Sequence, residues 1–101
     1  MTKPAFKTPY GIVVNTVTLT QWPRVATIAF EHGENLYELR FTDPRPFSDA
    51  TLALDECYQI LIVDQNSQTQ KEFGRYIIEI HGEDGLAGNF TADLYEHIVI
   101  A

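Results

Sequence analysis

Residues Arg24 to Thr42 read RVATIAFEHGENLYELRFT, and this stretch decides the fold class. Before the central glycine, Ala26, Ile28 and Phe30 share one side of an extended chain, with Val25, Thr27, Ala29 and Glu31 on the other. After it, Tyr37, Leu39 and Phe41 share a side, opposite Leu36, Glu38, Arg40 and Thr42. A reversal centred on Gly33-Glu34 sets Phe30 against Tyr37, Ile28 against Leu39 and Ala26 against Phe41. One face of the pair is then apolar throughout, as a half-buried antiparallel hairpin requires. On the other face Thr27 meets Arg40 and Ala29 meets Glu38, which suits water. A slip of one residue would bury Glu38 and Arg40. Gly33 supplies the positive φ that a type II′ turn needs at its first central position.

Outward from this hairpin the chain reads mostly as further strands. Ile12 to Thr20 alternates, with Val13, Val17 and Leu19 on one face and Thr16, Thr18 and Thr20 on the other. Gln21-Trp22-Pro23 forms the turn between that strand and the hairpin. Asp43-Pro44-Arg45-Pro46 ends the sheet, because proline cannot donate to a ladder. Ser48 to Glu56 fits a short helix capped by Ser48 or Asp49, although Leu52 and Leu54 also alternate as in a strand. Tyr58 to Asp64, YQILIVD, is a compact apolar run suited to a central buried strand. A polar loop over 65–72 precedes a strand from Phe73 to His81 with Tyr76, Ile78 and Ile80 inward. Gly82-Glu83-Asp84-Gly85 turns the chain. Residues 86–94 form a weaker strand in which glycine marks a bulge, with Phe90, Ala92 and Leu94 on one face. The apolar end, His97 to Ala101, reads as a last strand, with a helix over 91–97 as the competing reading.

The expected fold is therefore all-β: a small antiparallel β-sandwich or barrel of about seven strands, with room for one or two short helices. The alternative is α+β with an antiparallel sheet. A chain of 101 residues holds one core. It is read as an extended N-terminal arm over 1–11 followed by a single β-rich domain over 12–101. The apolar share of 45% is that of a globular chain, and no apolar run approaches the roughly 20 residues of a membrane span. The first residues have no apolar segment of a signal peptide, and the single cysteine cannot form an internal disulfide, so the expected location is cytoplasmic. Asn89-Phe90-Thr91 matches a glycosylation sequon and, in that compartment, is read as chance.

Charge is uneven along the chain. Residues 1–30 contain Lys3, Lys7 and Arg24 and no carboxylate; all 14 acidic residues follow from Glu31 onward, giving a net charge of −7. After Arg75 come Glu79, Glu83, Asp84, Asp93 and Glu96 with no basic residue. Phosphate recognition needs clustered Lys and Arg, so neither nucleic acid nor a membrane is an expected partner. A basic protein, or a cation, suits the acidic half.

Residues able to carry chemistry are few. His32 and His81 are each followed by Gly-Glu, so His32, His81 and Glu83 are the only metal ligands with a case; no two histidines have local ligand spacing, and exposed turn histidines are the plain alternative. Asp64-Gln65-Asn66-Ser67-Gln68 starts like a calcium loop but lacks its glycine and its closing glutamate. Cys57 follows Asp55 and Glu56, whose charges disfavour a thiolate, and reads as a core residue. No serine sits in a nucleophile elbow, and the glycines at 82, 85 and 88 are accompanied by carboxylates that would repel phosphate. No catalytic residue and no cofactor is expected, and nothing specific supports an enzyme.

Recognition has better support. Trp22 and Tyr10, like Phe6 and Phe47, lie beside prolines in irregular segments, where aromatics act as binding anchors if exposed and as core caps if not. The expected function is a non-catalytic protein-binding module, such as an acidic inhibitor, immunity-type or adaptor protein. Its partner surface would combine Glu79, Glu83, Asp84, Asp93 and Glu96 with Trp22 or Tyr10. The uncharged run Ile98-Val99-Ile100-Ala101 after His97 is unprotected as a sheet edge, so it lies inside the sheet or joins two copies in a homodimer. A small-ligand or metal-binding barrel or sandwich, and a structural subunit of a larger assembly, are the alternatives.

Overall fold

The computed structural model describes residues 4–45, 57–64 and 75–100. Within them the chain forms eight strands: β1 (Pro4–Lys7), β2 (Val13–Gln21), β3 (Arg24–His32), β4 (Asn35–Thr42), β5 (Gln59–Asp64), β6 (Tyr76–Gly82), β7 (Gly85–Ala92) and β8 (Leu94–Val99). They make two antiparallel four-stranded sheets in the orders β1-β5-β6-β7 and β2-β3-β4-β8, a small sandwich with its core between them. No helix occurs among the described residues. The eighth strand beyond the expected seven is β1, which lies within the segment expected as an extended arm. The reading of Ser48 to Glu56, together with Phe47, Phe73 and the 65–72 loop, falls outside the described residues.

The connectivity is reciprocal. β2-β3-β4 and β5-β6-β7 are consecutive meanders, one in each sheet. β1 crosses over to complete the second meander, and β8 crosses back to complete the first.

The central hairpin has the register its alternation demands: Phe30 opposite Tyr37, Ile28 opposite Leu39 and Ala26 opposite Phe41. Gly33 has φ 64°, and no other residue of that turn has positive φ, as in a type II′ turn. The inner faces bury Ala26, Ile28, Phe30, Leu39 and Phe41 from one sheet against Ile60, Ile62, Ile78, Ile80, Phe90 and Ala92 from the other. Burying each large aliphatic or aromatic side chain contributes about 1.5–3 kcal/mol, so these inner faces hold the sheets together. On the open side, rings form a row through Phe30, Tyr37, His97, Phe6, Tyr95 and Tyr76, with successive centroids 4.6–6.1 Å apart.

Two local features revise the faces. In β2 the register shifts between Val14 and Thr16, so Asn15 is a bulge. Val14, not Val13, therefore joins Val17 and Leu19 on the inner side, and Val13 is 59% exposed. One extra residue inverts every side chain before it. In β7 the shift opposite Ile80/His81 places a bulge at Ala87, beside Gly88, where glycine led us to expect one. The face of Phe90 and Ala92 ends there: Asp93 separates the strands, β8 begins at Leu94, and Leu94 points outward at 57% exposure. Residues 94–99 are a strand and not the competing helix. That strand is at a sheet edge, bonded to β4 alone among described strands, which removes the expectation that it lies inside the sheet.

The crossovers are pinned by hydrogen bonds. Trp22-Pro23, a cis peptide, closes the β2–β3 turn. After β4, Asp43 takes φ 58° and pairs with Arg45; Arg45 and Thr91 exchange backbone bonds of 2.8 Å each way, seating the crossover on β7. After β1, Thr8 is buried and its hydroxyl accepts the Ile60 N–H at 3.0 Å.

Candidate functional site

The acidic residues of the C-terminal half do not form one surface. Glu83 and Asp84 occupy the turn before β7 and Asp93 the joint after it, so the length of β7 separates them, roughly 25 Å at about 3.3 Å per residue. Glu79 faces outward on β6, with its carboxylate 3.1 Å from His81. Glu96 lies on the outer face of the other sheet, 3.9 Å from Arg40, and Asp93 is 3.8 Å from Arg45. These three already have cationic or titratable neighbours. Glu83 and Asp84 are exposed, and no ion pair among the described residues involves either.

The candidate aromatics also separate. Tyr10 precedes β2 and Trp22 follows it, so they lie at opposite ends of a nine-residue strand, about 30 Å apart at strand rise. Trp22 is 95% exposed at its turn, near Leu19 and Arg24. Tyr10 is brought to the Glu83–Asp84 turn through Tyr58. The Tyr58 carbonyl accepts the N–H groups of Gly11 and Ile12, at 2.8 and 3.1 Å, and its N–H donates to the His81 carbonyl at 2.8 Å. Its ring meets that of Tyr10 edge-on, 5.8 Å between centroids. Tyr58, Glu83, Asp84 and Leu86 line a cleft of about 320 Å³. Gly85, at φ 109°, makes the turn tight enough to present both carboxylates at its rim.

Two of these residues, Tyr58 and Leu86, escaped the sequence reading. Tyr58 was placed in the buried run YQILIVD, but it precedes the strand proper and stays half-exposed. Alternation gives no signal of this, since Tyr58 is in phase with buried Ile60 and Ile62; only its place before the start of β5 sets it apart. Leu86 carries no sequence signal beyond its position next to a turn glycine.

This cleft can hold a cationic group. The carboxylates attract it, and phenol faces favour a cation by about 0.5–1 kcal/mol at exposed sites. The outer face of the β2-β3-β4-β8 sheet holds a wider trough of about 790 Å³, but its two carboxylates already share a cation: Arg40 lies 2.7 Å from Glu38 and 3.9 Å from Glu96. His32 and His81 sit on different sheets, and among the described residues no three His, Cys, Asp or Glu side chains converge as metal ligands. His32, His81 and Glu83 are not brought together.

Cys57 is buried, and its thiol is pushed up to about 11 by that burial. Relative to the ordinary 9.0, this leaves about 100-fold less thiolate at pH 8. Alkylation by iodoacetamide should accordingly be at least about 100-fold slower in the folded protein than in urea; equal rates would place Cys57 at the surface. The raised value favours the fold fully below pH 9, and that contribution is lost as pH climbs towards 11.

No family model matches the chain, and no curated protein or solved structure shows significant similarity to it. No helix among the described residues is long and apolar enough to cross a membrane.

Proposed function

We propose that this chain is a non-catalytic protein-binding module that docks a basic partner at the cleft formed by Tyr58, Leu86, Glu83 and Asp84, with Tyr10 beside it against Tyr58. The observation that carries this reading is the meeting of exposed aromatic and aliphatic side chains with two carboxylates that have no described cation. Elsewhere the acidic candidates already have a partner within the chain, His81 for Glu79, Arg45 for Asp93 and Arg40 for Glu96, so a Lys or Arg side chain gains most here. Leu86 is 56% and Tyr10 59% exposed, giving apolar contact around the charged centre, the usual form of an interface anchor. An acidic inhibitor, immunity-type or adaptor protein working on a basic surface fits this arrangement. Cytoplasmic residence belongs to the same reading and is supported by the single reduced-type cysteine.

The test is titration with Lys- and Arg-rich peptides, using acidic peptides of equal length as control. Amide shifts are expected at Tyr58 and over residues 83–87, with affinity falling as salt rises. The double variant Glu83→Lys/Asp84→Lys should slow association about ten-fold or more at low ionic strength, where charges act over about 30 Å, and much less at 0.15 M, where screening cuts the range to about 8 Å. An unchanged low-salt on-rate would remove this surface from consideration.

A further inference from the structure

The edge presented by β8 has a definite backbone phase. Ile100 N–H donates to the Leu36 carbonyl at 2.8 Å, in register with the pairs Glu38–Ile98, Arg40–Glu96 and Thr42–Leu94. Antiparallel ladders alternate hydrogen-bonded and non-bonded pairs. The even-numbered residues of β8 therefore turn their N–H and C=O groups to β4, and Tyr95, His97 and Val99 turn theirs away from it.

This edge is lightly guarded, with Glu96 its one carboxylate. Natural edges are protected by lysine, proline or a bulge; β1 contains Pro4 and Lys7, and β2 has the Asn15 bulge. β8, LYEHIV, has no lysine, no proline and no register shift against β4. Leu94, Val99 and Ile100 are 57, 62 and 48% exposed, so the edge is open to solvent and apolar. The His97 ring is held on the inner side against Phe6 and Tyr37, at 4.6 and 5.6 Å, leaving its backbone free to face outward.

We propose that β8 pairs antiparallel with β8 of a second copy, about a two-fold axis through His97, joining two four-stranded sheets into one. A second copy fits because the strand is complementary to itself in that one register. Opposed residues in an antiparallel pair share a face, and the outward groups are on odd-numbered residues. An axis through Glu96 would set two carboxylates against each other. An axis through Ile98 would pair only 96–100 among the described residues. The axis through His97 uses the whole of 94–100: Tyr95 bonds to Val99 of the other copy, His97 to His97 and Val99 to Tyr95, each pair exchanging two bonds. On the outer face Leu94 meets Ile100 and Glu96 meets Ile98. Arg40 at 3.9 Å accompanies each Glu96 carboxylate, so the contact buries no unaccompanied charge.

The salt response separates this contact from docking of a basic partner. Joining two chains of net charge −7 opposes like charge to like, so the dimer tightens as salt rises, whereas binding at the acidic cleft weakens. The wild-type chain should sediment at twice its 11.5 kDa and dissociate on dilution, more readily at low salt. Val99→Pro removes an N–H that points away from β4 and a side chain already 62% exposed, a position where edge strands accept proline. This variant should be a monomer with a thermal midpoint close to the wild type. Amide exchange at Tyr95, His97 and Val99 should slow as wild-type concentration rises, and that measurement decides the matter if Val99→Pro does not fold. A wild-type mass of 11.5 kDa at all concentrations, a dimer that survives Val99→Pro, or exchange at those amides independent of concentration would each overturn the proposal.

Discussion

Replacing Phe90 by alanine is expected to destabilise the protein by about 3–5 kcal/mol. Phe90 and Phe41 are both fully buried, on β7 and β4 respectively, and their rings meet edge to face at 5.2 Å and 89°. They form the contact at which one sheet grips the other. Truncation removes apolar area from the core and leaves a cavity that the flanking isoleucines, fixed in their ladders, cannot close. The edge-to-face geometry itself adds about 0.5–1.5 kcal/mol. Small domains are stable by only about 5–15 kcal/mol, so Phe90→Ala should move the urea midpoint to the margin of folding, and Phe41→Ala should do the same. The double variant should cost less than the sum of the two, because the ring contact is lost once. A loss below about 1 kcal/mol for either single change would mean that the sheets do not meet there.

Thr8→Val should cost about 1–3 kcal/mol with almost no change of shape. At Thr8 the chain leaves the β1–β5 ladder towards β2, and side chains take over the bonding. Its N–H still donates to the Ile60 carbonyl at 3.0 Å. Its hydroxyl accepts the Ile60 N–H at 3.0 Å and donates to the Pro9 carbonyl at 3.0 Å, while Gln59 Nε2 donates to its carbonyl at 2.9 Å. Thr8 is 1% exposed, so no water replaces the oxygen when valine takes its place. The Ile60 N–H is then buried without an acceptor, and the cost is the desolvation of that group. Chemical denaturation gives the magnitude. Faster amide exchange at Ile60, with Ile62 unchanged, would locate it; a loss under about 0.5 kcal/mol would show that the hydroxyl does not bear this bond.

What could be read from the sequence was what local alternation controls. The central hairpin came out pair for pair because a shift of one residue would have exposed Tyr37, Leu39 and Phe41 and buried Glu38 and Arg40. The turns at Gly33 and at Gly82–Gly85 were legible because their glycines stand between alternating runs. β1 was not legible: four residues with a proline have too little pattern, and the partner strand lies more than fifty positions away. The bulge at Asn15 was hidden because Val13 and Val14 are equally apolar, and only pairing with Glu31 and Phe30 tells them apart. Leu94 was misplaced because alternation was carried through Asp93, where the chain changes sheets.

The same division holds at the candidate site. Tyr10, Glu83 and Asp84 were legible as an exposed-type aromatic beside proline and an acidic glycine turn. That Tyr10 reaches Tyr58, which lines the cleft with Glu83 and Asp84, while Asp93, Glu96 and Trp22 lie elsewhere, depends on which strands are neighbours. The approach of Arg40 to Glu96 requires β8 to lie beside β4, and the contact of Tyr10 with Tyr58 at the edge of the cleft requires the segment after β1 to pass over Tyr58. Both are long-range placements, and composition carries no trace of them.

The exchange of β1 and β8 between the two meanders also has a consequence for synthesis. A ribosome delivers β2, β3 and β4 early, but the sheet they begin gains its fourth strand only when residues 94–99 emerge, after the whole of the other sheet. β1, delivered first, has nowhere to pair until β5 appears some fifty residues later, and closing a loop of that length costs about 3.5 kcal/mol of chain entropy. Neither half of the chain can finish on its own. The nascent protein is therefore a pair of open meanders until β8 arrives, and the lock that makes it one body closes only once residues 94–99 have emerged, after both meanders.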